Sequence, residues 1–72
     1  MKKTFLLEDL DCAHCAQKIE DGIRRLDGVK SVSVNFLTQK LILEADDADF
    51  PRVLDGAVRI AKRIEPDCII RR

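Results

Sequence analysis

The tightest constraint on how this chain can fold is its switching hydrophobic period. Two stretches with apolar residues at helical spacing are each bracketed by short stretches of β-type alternation. Phe5 and Leu7 alternate with Thr4 and Glu8, which predicts a first strand; Leu6 interrupts the pattern and the acidic Glu8-Asp9 closes it. From Cys15 onward Ile19, Ile23 and Leu26 recur at helical spacing, with Glu20/Arg24 and Asp21/Arg25 as opposite charges four apart on the outer side. This predicts an amphipathic helix of about three turns that stops at Asp27-Gly28. Val29, Val32 and Val34 then lead to Phe36 in a β-branched second strand. Leu37-Thr38-Gln39 forms a hairpin connection to a third strand, on which Leu41, Leu43 and Ala45 share a face.

The second half repeats the pattern. Asp46-Asp47-Ala48-Asp49 supplies helix-capping residues, and Pro51 suits a first helical turn, where its missing N–H is not needed. Phe50, Val53, Leu54, Ala57, Ile60, Ala61 and Ile64 follow at helical spacing, with Lys62 and Arg63 at the negative end of the dipole. Pro66 ends this helix and biases Glu65 towards extended backbone, and Cys68-Ile69-Ile70 makes a short last strand.

The order is βαββαβ, and two βαβ-like halves joined by a hairpin close most simply as an α+β, ferredoxin-like sandwich. It has a four-stranded antiparallel sheet, strand order 4-1-3-2, with both helices on one face. Residues 1–72 are expected to form one domain around one modest core, since a chain this short buries only about 60% of its unfolded surface. This topology gathers the Cys12 loop, the Leu37-Thr38 turn and the Glu65-Pro66-Asp67 connection at one end. It also turns Cys68 and Ile70 to the core, and sets Leu6, Ile42 and Ile69 side by side on the sheet face away from the helices.

Charge and composition narrow the function. Thirteen basic and 13 acidic residues cancel, so no global field draws the chain to nucleic acid or anionic membrane. Three Phe with no Tyr or Trp leave little for base stacking. No apolar run approaches the roughly 20 residues that span a bilayer, and Phe5-Leu6-Leu7 after Lys2-Lys3 lacks a signal-peptide pattern, so a cytosolic setting is expected. In a reducing compartment three cysteines, two of them as Cys12-Ala13-His14-Cys15, point to metal or redox chemistry before structural disulfides.

A Cys-x-x-Cys that begins in a loop and ends in the first turn of a helix lets both sulfurs converge, and the helix N-terminus favours thiolate. Three chemistries are open to it: metal ligation, a redox dithiol, or incidental burial. A redox dithiol expects a longer, thioredoxin-like setting with aromatic residues about the motif, and incidental burial expects apolar neighbours, whereas Asp11 and His14 are polar. Asp11 is either a helix-capping acid or a ligand. A divalent ion on two thiolates is neutral and still open to a carboxylate oxygen, whereas Cu(I) is satisfied by two thiolates and gains only excess negative charge. His14, Glu65 and Asp67 are lesser candidates. Cys68 reads first as a small hydrophobe and second as a third thiolate. Lys18, Arg24, Arg25 and Lys30 read as solvated charges that could also face an acidic partner surface.

The segment Leu10-Asp11-Cys12-Ala13-His14-Cys15-Ala16-Gln17-Lys18-Ile19-Glu20, with Leu26-Asp27-Gly28-Val29 and Ile64-Glu65-Pro66-Asp67, resembles the heavy-metal-associated domain of P-type metal ATPases and metallochaperones. The resemblance runs through the chain and is strongest to the N-terminal domains of cadmium/zinc/lead-transporting ATPases. It implies that Cys12 and Cys15 bind the metal, and that Leu10 keeps the anchoring role of the family's Gly-Met, here Asp9-Leu10. Copper members commonly carry Thr or Ser before the first cysteine, so Asp11 looks like the zinc-type members. The implied function is capture and delivery of Zn(II), Cd(II) or Pb(II) through Asp11, Cys12 and Cys15, with no reaction catalysed in this chain. A transport ATPase core or a metallochaperone would be its partner. A stand-alone Cu(I) metallochaperone is the alternative, and a thiol oxidoreductase the third.

Overall fold

Pleat alternation drives the architecture of the computed structural model, which describes residues 1–10 and 12–71. On β1 (Lys2–Glu8) Phe5 and Leu7 are buried while Leu6 between them stays 56% exposed, so the apparent break in the pattern is an outward-facing leucine. The remaining elements are α1 (Ala13–Arg24), β2 (Val29–Asn35), β3 (Lys40–Ala45), α2 (Phe50–Ile64) and β4 (Ile69–Arg71). The strands form one antiparallel sheet in the order β2-β3-β1-β4, the expected ferredoxin-like topology. Phe5, Leu7, Val32, Leu41, Leu43, Ala45 and Ile70 from the sheet join Ile19, Ile23, Val53, Ala57 and Ala61 from the helices in one apolar core. The Phe5 and Phe50 rings stack there with centroids 6.3 Å apart.

Several details differ from the expectation, each for a local reason. Val29 and Val32 are an odd number of residues apart, yet Val29, Val32 and Val34 lie opposite Ala45, Leu43 and Leu41, all core-facing. The register shifts between Val29 and Ser31, and this β-bulge supplies the extra residue that keeps the three valines on one face. Helix α1 ends at Arg24; Leu26 belongs to the following turn, where its N–H bonds Ile23 O at 3.0 Å and Gly28 takes φ 98. Arg24 gathers both acids of its helix, Glu20 at 3.0 Å and Asp21 at 3.3 Å, in place of the expected Asp21/Arg25 pair. Glu20 also accepts from the Val34 N–H on the edge strand at 2.8 Å, so it serves the sheet as well as the helix. The last strand starts at Ile69, since the Cys68 N–H is taken by Glu65 O in the preceding turn.

On the outer sheet face Leu6 sits diagonally between Ile42, which pairs with Thr4, and Ile69, which pairs with Glu8. The three run as a diagonal across β3, β1 and β4 and not directly side by side, because Lys40 and Arg71 are the residues opposite Leu6. No helix among the described residues is long and apolar enough to cross a membrane.

Candidate metal centre

The loop that carries the cysteines is prepared from both sides. The chain leaves β1 through Asp9, at φ 61, and drives the Leu10 side chain into the core at 2% exposure. This is the anchor expected of Leu10. Two residues later Cys12 is the N-cap of α1, with extended φ −128 and ψ 120, and its Sγ accepts from the Cys15 N–H at 3.4 Å. A cysteine thus occupies the place usually taken by Ser, Thr or Asp, where an acceptor meets the orphan amides of the first turn. Cys15 stands within that same turn, and both cysteines are free and half-buried.

The two thiols differ electrically. The Cys15 backbone N–H is the largest influence on Cys12 and lowers its pKa; hydrogen bonds from the Cys15 side chain and the His14 backbone act likewise, against desolvation and the Glu65 charge. Cys15 moves upward: its side-chain hydrogen bond to Cys12 raises it most, followed by desolvation and the negative charges of Cys12 and Glu65, with Lys18 opposing. The first proton therefore leaves the pair more easily than it leaves an isolated thiol and the second less easily, and a metal cation that binds both sulfurs must displace whatever proton remains.

The other expected residues divide. Asp11 lies outside the described residues. His14 is exposed on the first turn of α1, and Asp67 is exposed in the turn after α2. Glu65 is the half-buried C-cap of α2, and its charge is a lesser cause that raises Cys12, Cys15 and Cys68. Cys68 is a core residue at 1% exposure, and its thiol is pushed up chiefly by burial, then by Glu65 and Asp9. Among the described residues no group of three or more His, Cys, Asp or Glu side chains converges as a metal site. Arg24 and Lys30 are exposed, as expected of solvated charges, and each also makes a surface ion pair, Lys30 to Asp46 at 2.8 Å.

Sequence reasoning missed Gln39, which it placed only in a hairpin. The Gln39 side chain bonds the Leu10 peptide at both ends: Leu10 N–H donates to Oε1 at 3.1 Å, and Nε2 donates to Leu10 O at 2.6 Å. Nε2 also donates to Phe36 O at 3.0 Å. The available signal was topological, a side chain with both donor and acceptor in a hairpin at the same end as Cys12.

Comparison with known proteins bears on the chain as a whole. The family model described as heavy-metal-associated domain matches residues 4–66. A cadmium, zinc and cobalt-transporting ATPase of Bacillus subtilis (strain 168) is 32% identical over 71 residues, 99% of this chain and 10% of that protein. Copper chaperone CopZ of Enterococcus hirae is 35% identical over 49 residues, 68% of this chain and 71% of that protein. Among solved structures, the N-terminal domain of ZntA in its apo-form superposes with a TM-score of 0.69 at 33% identity, covering 97% of this chain and 88% of that one. The chain spans about a tenth of the ATPase relative's length and most of the chaperone's.

Proposed function

The chain belongs to the heavy-metal-associated domain family, a family of metal-binding modules, and from that premise we propose that it captures Zn(II), Cd(II) or Pb(II) through Cys12, Cys15 and Asp11. The metal is cargo. Residues 1–72 act as the N-terminal metal-binding domain of a P-type transport ATPase, at the cytosolic face of the membrane, and pass the ion to the ATPase core. The observation that carries this reading is the paired thiol at the start of α1, with the Cys12 sulfur held by the Cys15 N–H. Thiolates select soft and borderline ions, and the helix N-terminus stabilises their charge. Two thiolates leave a divalent ion neutral and under-coordinated, and the carboxylate of Asp11, next to Cys12 in the chain, supplies an oxygen.

Copper is the second reading, favoured by the similarity to a copper chaperone over 71% of that chaperone's length. Charge separates the two. A carboxylate helps balance a divalent ion and opposes an already anionic Cu(I)-dithiolate. At an effective dielectric near 20, a unit charge at about 4 Å interacts by up to ~4 kcal/mol, an upper guide that loop solvation reduces. Parallel competition titrations with Zn(II) and Cu(I), under reducing conditions, test this in the wild type, Cys12→Ala, Cys15→Ala and Asp11→Ser. Each cysteine variant should lose tight binding of either ion while keeping its fold, and Asp11→Ser should lose Zn(II) affinity but keep or gain Cu(I) affinity. Nearly unchanged affinity in a cysteine variant would rule out the site, and equal losses of both ions in Asp11→Ser would return the assignment to copper.

A further inference from the structure

We propose that Gln39 is a positioning residue of the metal loop: it clamps the Leu10 peptide to the β2–β3 hairpin and so holds Cys12 and Cys15 ready for the metal. The inference rests on the metal-ligand assignment above.

Leu10 lies beyond the last residue of β1, after a left-handed turn at Asp9, with its side chain sunk in the core. Its N–H and C=O lie outside the strand pairing and need other partners, since buried or half-buried backbone groups without them are costly. One side chain from 29 residues away serves both. A primary amide is suited to this, because it offers an acceptor and donors in one plane, as the edge of a peptide does. Nε2 divides its two hydrogens between Leu10 O and Phe36 O, so the loop and the hairpin are tied through a single nitrogen. The backbone of Gln39 adds a further tie, since its carbonyl accepts from the Leu7 N–H at 2.8 Å.

Gln39 does this from φ 56, a left-handed conformation that strains a side-chain-bearing residue and that glycine adopts freely. The hairpin alone would therefore be served by glycine. What glycine cannot supply is the amide that reaches Leu10. A carboxylate of the same length keeps the acceptor and loses both donors, setting negative charge against two carbonyl oxygens. A shorter amide at the same place falls short by one methylene. Fixing the backbone two residues ahead of Cys12 removes freedom that the loop would otherwise lose on closing around an ion, which is how support behind a ligand raises metal affinity.

The experiment compares wild type with Gln39→Gly and Gln39→Glu. Far-UV circular dichroism reads the fold, amide hydrogen exchange of metal-free protein reads Leu10 and the first turn of α1, and chelator competition reads Zn(II) affinity. Gln39→Gly suits the backbone and should stay folded, with faster exchange at Leu10 and a Zn(II) affinity lower on the order of tenfold, as for outer-shell partners of metal ligands. Gln39→Glu should protect Leu10 no better than the glycine variant. Wild-type exchange and affinity in Gln39→Gly, or wild-type protection of Leu10 in Gln39→Glu, would overturn the proposal. Faster exchange with unchanged affinity would reduce Gln39 to a structural brace and overturn it too. A wild-type protein that fails to bind Zn(II) would overturn the divalent reading instead. Cu(I) competition on the same proteins then carries the comparison, and equal Cu(I) affinities would refute the role of Gln39.

Discussion

Replacing Leu10 with alanine should destabilise the protein by about 3 kcal/mol and loosen the segment that leads into Cys12. The side chain is 2% exposed, so truncation takes three carbons from a site that solvent does not reach. At about 0.8 kcal/mol per buried methylene-sized group, the transfer loss is roughly 2.4 kcal/mol. The cavity left behind adds to this, and measured Leu→Ala losses at buried sites run from about 2.5 to 5 kcal/mol. Leu10 lies between β1 and α1 and not inside either, so the backbone can partly close the gap, which places the expectation towards the lower end. A chain of 72 residues has a total stability of roughly 4–11 kcal/mol, so the loss is a large share of it. With no Trp or Tyr the chain lacks the usual fluorescence signal, and urea unfolding is followed by far-UV circular dichroism. Leu10→Met conserves volume and should cost under about 1.5 kcal/mol, with metal affinity retained. A loss below about 1 kcal/mol in Leu10→Ala would refute the claim that this residue anchors the loop.

Metal binding should strengthen as pH rises through neutrality, because the proton shared by the sulfurs, held by the raised Cys15, must leave for the ion to enter; Zn(II) competition at several pH values reads the slope, and a flat profile would contradict it. The raised thiol of Cys68 favours the folded state while it stays protonated, so that contribution is complete below the ordinary thiol pKa of about 8.5 and is lost as pH climbs through the raised value. Alkaline urea titrations of Cys68→Ala should therefore show a shallower decline than wild type, and an equal decline would place the alkaline sensitivity elsewhere. Gly28→Ala should cost about 1–3 kcal/mol in the same urea assay, since φ 98 disfavours any side chain and a Cβ there would crowd the buried Val53 Cγ2 at 3.3 Å; a neutral effect would mean that the turn relaxes freely.

Periodicity carried the architecture, because burial repeats every second residue on a strand and every third or fourth on a helix. Phe5 with Leu7, Leu41 with Leu43 and Ala45, and Phe50 with Val53, Ala57 and Ala61 all lie in the core as their spacing demands. The Cys12–Cys15 spacing was likewise legible, since a helix N-cap and the third residue after it are brought together by local geometry alone. What spacing could not reveal was where register and chain crossings set a side chain against a distant backbone. The bulge between Val29 and Ser31 depends on pairing with β3, the bond from Val34 to Glu20 joins positions 14 apart, and the clamp of Gln39 on Leu10 joins positions 29 apart. Such contacts leave no period in the chain. The clamp exists because the sheet order brings the end of β1 and the β2–β3 turn to one end of the sheet, where a planar amide can answer backbone groups that have left their ladder.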